Sequence, residues 1–151
     1  MNASSTVPAQ GSGAAVSINK RTTLESTADL SGRLLLAVLF LLSGVGKVGA
    51  YSATAGYMSA TGVPGALLPA VIALEVAGAL AIVLGWKTRL VALLLAGFSL
   101  IAALIFHNNL ADQTQMIMFF KNLSITGGFL VLAANGAGPL SLDRRNTRRG
   151  A

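Results

Sequence analysis

Residues 66–86 read ALLPAVIALEVAGALAIVLGW, twenty-one positions of which only Glu75 is ionisable. At 1.5 Å per helical residue such a run spans about 30 Å, the thickness of a bilayer's hydrocarbon core. Trp86 closes it where an interfacial aromatic belongs, and Lys87 and Arg89 follow at once. This stretch reads as a membrane-crossing helix.

Three further segments share that character. Upstream, SGRLLLAVLFLLSGVGKVGA begins near Ser31, with Asp29 or Ser31 as candidate N-caps. Its charge-free part, Leu34–Gly46, has thirteen residues, about 20 Å of helix. To cross the core it must take in Lys47 and continue to Tyr51. Downstream, Leu90–Phe106 has no ionisable residue and ends at His107-Asn108-Asn109, and a last span runs from Gln115 to Ala134 and includes Lys121. Between the first two spans, YSATAGYMSATGVPG is mildly amphipathic, an interfacial helix or loop ending in a Gly62–Gly65 turn. The expected fold is all-α, an integral membrane four-helix transmembrane bundle occupying residues 31–143.

Composition agrees. The 151-residue chain is 54% hydrophobic and 11% charged, with mean hydropathy +0.70. A soluble domain carries about twice that share of charge. Residues 1–30, rich in Ser, Thr, Ala and Gly and without an aromatic, cannot bury enough apolar surface to order themselves, and are expected to be mostly disordered. The apolar run starts too late for a cleaved signal peptide, so the first span is expected to act as an uncleaved anchor. Residues 144–151 form a basic tail. No internal repeat stands out. Small residues recur along the spans, and Ala73, Ala77 and Ala81 form a candidate helix-contact stripe.

Loop charges set an orientation. Lys20, Arg21 and Arg33, then Lys87 and Arg89, then Arg144, Arg145, Arg148 and Arg149 fall on one side only if the spans number four. The positive-inside rule places that side, with both termini, in the cytoplasm. Arg33, Lys87 and Arg89 read as topology and headgroup anchors. The net charge of +6 thus belongs to membrane topology; the tail arginines lack interleaved aromatics, which excludes nucleic acid and favours anionic lipid.

The chain has no cysteine and a single histidine, which argues against thiol redox chemistry, a bis-histidine haem and a histidine-rich metal site. Nucleophile elbows, glycine-rich phosphate loops and paired carboxylates are missing too, so no self-contained catalytic motif is legible. What remains is the intramembrane charge. From Arg33, Lys47 lies about 21 Å along its helix; Glu75 lies about 13–14 Å and Lys121 about 8–10 Å below the outer boundary, with His107 near it. A lone charge at mid-bilayer costs at least ~2.5–3.5 kcal/mol. Glu75 is therefore expected to face the bundle interior and pair with Lys47, Lys121 or both. With all three ionised the cluster carries one net positive charge, which suits an anion, a polarised carbonyl, or proton uptake by Glu75. Lys47, Glu75, Lys121 and His107 are the candidate site, opening toward the outer face. The competing reading is a salt bridge that only fixes helix register.

The residues also carry a family resemblance. Arg33-Leu34, Leu39-Phe40, Ser43-Gly44 and Lys47, then Gly62-Val63-Pro64, Glu75 with Gly78 and Gly85, and Lys87-Thr88-Arg89 resemble the DoxX family of small bacterial and archaeal membrane proteins. Phe106-His107, Phe120-Lys121-Asn122-Leu123, Gly127-Gly128, Gly136-Ala137-Gly138 and Ser141-Leu142-Asp143 extend the match over about residues 31–143. The resemblance implies a four-helix bundle in the cytoplasmic (inner) membrane. It also implies association with quinone-linked oxidoreductases, as a small subunit in sulfur or terminal oxidation, or with oxidative-stress complexes. The implied cofactor is a bound quinone or one residing in a redox partner protein. Lys47 or Lys121 would then hydrogen-bond a quinone carbonyl while Glu75 exchanges the proton. Two other functions stay open at this stage, a small transporter using the same charges as a polar pathway and a purely structural membrane protein, as does homo-oligomerisation.

Overall fold

The computed structural model describes residues 23–149, with side chains through residue 145. Six α-helices follow in order: α1 (Thr23–Gly49), α2 (Tyr51–Ala60), α3 (Leu68–Leu84, preceded by a 3₁₀ turn at Gly65–Leu67), α4 (Thr88–Phe106), α5 (Gln113–Asn135) and α6 (Leu142–Arg149). Among the described residues there is no strand. Helices α1, α3 with its 3₁₀ turn, α4 and α5 are each long and apolar enough to cross a membrane. The fold is the all-α membrane bundle that the four apolar runs dictate.

Two boundaries differ from expectation. Helix α1 starts at Thr23, eight residues before Ser31, so Asp29 and Ser31 lie inside the helix and not at its N-terminus. The expected disorder of the N-terminal segment falls otherwise on residues 1–22, outside the described ones. The interfacial stretch after Tyr51 is a full helix, α2, ended by Gly62 at φ +83°.

Helices α1 and α3 pack as one pair and α4 and α5 as another. The core is small where helices cross and aromatic at the centre: Ala37, Ala79, Ala92 and Ala96 let backbones approach, while Phe40 meets Phe98 and Phe129 edge to face at 6.3 and 5.3 Å. Long aliphatic side chains such as Leu35, Leu42 and Val131 point outward, the arrangement lipid favours over water. The alanine stripe is corrected. Of its three members only Ala81 is buried; Ala73 and Ala77 are exposed, and the buried line of α3 is Leu68, Glu75, Gly78, Ala79, Ala81 and Ile82. Ala73 and Ala77 each stand about 160° around the helix from Glu75, so a bundle that takes the carboxylate inward must turn those alanines to lipid.

The end that carries the termini is tied by the C-terminal segment. Gly85, left-handed at φ +66°, closes α3 with a Schellman-type pair, Trp86 N–H to Ala81 O at 2.9 Å and Gly85 N–H to Ile82 O at 3.2 Å. Asp143 then returns to that turn, its N–H on Gly85 O at 2.9 Å. Its carboxylate accepts from Lys87 N–H at 2.7 Å and Thr88 N–H at 2.9 Å. A carboxylate 55 residues downstream thus caps α4 and meets the positive end of its dipole.

Candidate functional site

Ser43 and Lys47 stand one helical turn apart on α1 and face Glu75 on α3. Lys47 Nζ donates to both carboxylate oxygens, Oε1 and Oε2, each at 2.9 Å, and to Ser43 Oγ at 2.6 Å. Ser43 Oγ in turn donates to Glu75 Oε1 at 3.2 Å. Glu75 is 2% exposed, and among the described residues its donors, Ser43 and Lys47, both come from α1. The expected inward orientation and pairing with Lys47 are both present. This is the arrangement a carboxylate needs in lipid, where an unmet charge costs several kcal/mol.

Lys121 does not join that pair. It sits on α5 and places Nζ 3.1 Å from Met118 Sδ, a weak acceptor. His107, just past α4, holds Nδ1 2.8 Å from Gln115 Oε1. All four candidate residues line one cavity of about 480 Å³ in the half of the bundle away from the termini.

The walls of that cavity are apolar. Phe40, Val71, Phe98, Ile101 and Ile105 surround it, with Ser43, Thr54, Tyr57, Ser99 and Asn122 the polar additions to the candidate four. Below, the Phe40 and Phe98 rings form the floor, and Phe129 packs on Phe40. Above, α2 lies across it: the Tyr57 ring stacks on Phe106 at 5.5 Å and its hydroxyl donates to Phe106 O at 3.5 Å. The arrangement offers cations, one carboxylate and a histidine at the end of an oily chamber, which is the construction of a small-molecule site.

Sequence reasoning missed three contributors. Ser43 precedes Lys47 by four residues, so a helical reading alone puts its hydroxyl beside the ammonium. Tyr57 and Met58 line the cavity from α2, and nothing in a short amphipathic stretch says which way it folds over. Arg33 is the clearest correction. Read as a headgroup anchor, it is 1% exposed. Nη1 donates to Ile82 O and Val83 O, each at 3.3 Å, and Nη2 to Leu140 O at 2.6 Å. The last carbonyls of α3 lack helical partners and carry the negative end of its dipole. A fork of guanidinium donors satisfies them and clamps the C-terminal segment against α1. Lys87 and Arg89 remain exposed.

Comparison with known proteins fits these features. Residues 28–108 match the DoxX family model, a segment that includes Lys47, Glu75 and His107 and stops before Lys121. The chain is 50% identical over 121 residues to the inner membrane protein YqjF of Escherichia coli strain K12, covering 80% of this chain and 93% of that protein. It is 40% identical over 124 residues to the inner membrane protein YphA of the same strain, covering 77% and 88%. No solved structure matches. With its four apolar helices and these relatives, the chain belongs to the DoxX family and is an integral membrane protein.

Proposed function

We propose that this protein is a small subunit or anchor of a quinone-linked or oxidative-stress redox system in the cytoplasmic membrane. Both termini face the cytoplasm, and a quinone head is held in the cavity of Lys47, Glu75, Lys121 and His107. The orientation is supported by exposed Lys87, Arg89, Arg144 and Arg145 at the end that carries the termini.

One observation carries the ligand reading. The intramembrane charges converge on a cavity of about 480 Å³ instead of a packed interface, a volume within the usual range of small-molecule sites. The donor set fits a quinone. Lys47 already serves Ser43 and both oxygens of Glu75, whereas Lys121 has a thioether as its described partner and keeps donors for a carbonyl oxygen. Glu75, the carboxylate lining the cavity, is the group that can hold a proton there. A quinone, when bound, supplies two-electron, two-proton carriage. The chain offers no cysteine of its own for electron transfer, so a partner protein provides the electrons. A transport reading finds less support, because the phenylalanine floor closes the polar chamber toward the termini.

The test is the quinone content of protein purified in mild detergent, read by mass spectrometry against a detergent blank. Wild type retains quinone, and Glu75→Gln and Lys121→Gln each lose it while keeping helical content. Wild-type protein without quinone, from cells rich in it, overturns the reading.

A further inference from the structure

Helices α1 and α5 touch in the half of the bundle nearer the termini and part company in the other half. A Cβ at Gly128 would lie 3.4 Å from Leu36 Cδ2, and a turn farther out along α1 the Phe40 and Phe129 rings stand 5.3 Å apart. About two turns beyond the Leu36–Gly128 contact, the same faces carry Ser43 on α1 and Lys121 on α5. There the cavity lies between them. Leu39 lines the cavity and is also 40% exposed, and Lys121 is exposed as well. Cavity wall and lipid-facing surface are therefore continuous at these two side chains.

Ile101 of α4 also lines the cavity and is 58% exposed, so the α3–α4 rim is the competing mouth, though it carries no charged group for a head. The remaining sides are occupied. Tyr57 on Phe106 covers the aqueous end, the phenylalanines close the floor, Lys47–Glu75 ties α1 to α3, and Thr126 Oγ1 donates to Ala96 O where α5 meets α4. We propose that the cavity opens sideways between α1 and α5 into the leaflet farther from the termini. Its occupant is a membrane-dissolved amphiphile, with an apolar tail past Leu39 and an anionic or hydrogen-bond-accepting head on Lys121. This rests on reading the cavity as a ligand site, not on the ligand being a quinone. A tail that stays in hydrocarbon never pays to cross water, and an ammonium at the slot's edge meets the head at the depth where lysines normally lie.

A lipid-borne quencher tests the slot directly. In a Trp86→Phe background, Asn122→Trp puts the one indole on the cavity wall, and Ile125→Trp is the substitute if that variant does not fold. The protein is reconstituted in phosphatidylcholine with or without bromine at mid-chain. The slot predicts loss of most of the indole emission in brominated lipid, recovered when Leu39→Phe narrows the gap and not by Ile101→Phe on the opposite rim. An unquenched indole overturns the proposal, as does recovery by Ile101→Phe instead of Leu39→Phe. Quinone extraction stands apart from this readout: a quenched but quinone-free protein keeps the slot and removes only the redox reading.

Discussion

Gly44 of α1 stands so close to Val76 of α3 that a methyl group in its place would lie 2.7 Å from Val76 Cγ2 and 3.3 Å from Glu75 Cβ. That crossing brings Lys47, one turn along, to hydrogen-bonding distance of Glu75. Gly44→Val must push the helices apart or distort them, at about 1–3 kcal/mol. Gly46, two residues away, has nothing within 4 Å of its would-be Cβ, and Gly46→Val is expected to change stability little. Unfolding in mixed micelles, followed by circular dichroism, compares the two. Equal losses would show that the close crossing contributes nothing special.

The ion pair invites a double-mutant cycle. Glu75→Gln leaves the Lys47 ammonium inside the membrane with Ser43 and a neutral amide, and breaking a buried pair in this way costs about 3–5 kcal/mol. Lys47→Met leaves the carboxylate equally stranded. The double variant removes both charges, so its loss should be well below the sum of the singles. Additive losses in the same micelle titration would mean that the two residues act separately.

The span count, their order and the inward turn of Glu75 were legible because lipid imposes one rule on every residue: a polar group must find a partner inside the protein. Height brought both Lys47 and Lys121 within reach of Glu75 without choosing between them. Height says nothing about rotation around a helix, so Lys121 could not be assigned to Glu75 or to Met118 from the sequence. Arg33 was misread for a related reason. An arginine before an apolar run looks the same whether it faces headgroups or carbonyls, and the carbonyls it meets lie on α3 and beyond α5. The alanine stripe was ruled out by Glu75 itself, a conflict visible only when both are placed on one helical wheel.

Removing the Arg33 clamp should free the C-terminal segment. Arg33→Lys keeps the charge but cannot serve Ile82, Val83 and Leu140 with one fork, so it is not a conservative change here. Hydrogen exchange of residues 140–145 is expected to accelerate by at least about tenfold, the loss of one charge-assisted hydrogen bond, while the α4 and α5 cores stay protected. Unchanged exchange would place the segment's anchorage elsewhere.

Asp143 supplies a second, separable anchor. Asp143→Ala strips the cap from Lys87 and Thr88 N–H and should cost about 1 kcal/mol. Asp143→Asn keeps an acceptor oxygen and is expected to recover part of that. Fraying at the start of α4, seen as faster exchange at residues 88–91, is the local signature. A loss spread evenly over the bundle would point instead to a global role for the tail.

Lys121 separates ligand binding from folding most cleanly. It is exposed and its described partner is a thioether, so Lys121→Gln leaves no buried charge stranded and should unfold at the wild-type midpoint. A head group held by its ammonium would lose one charged hydrogen bond, about 1.5–3 kcal/mol, or roughly 10- to 100-fold in affinity. Titrating a short-chain quinone analogue into each protein and following quenching of a cavity indole at residue 125 measures that ratio. Lys47→Gln is the informative contrast, because it should weaken the fold through Glu75 as well as the site. If Lys121→Gln binds the analogue as tightly as wild type, the ammonium is only snorkelling and the head lies against His107 or Lys47 instead.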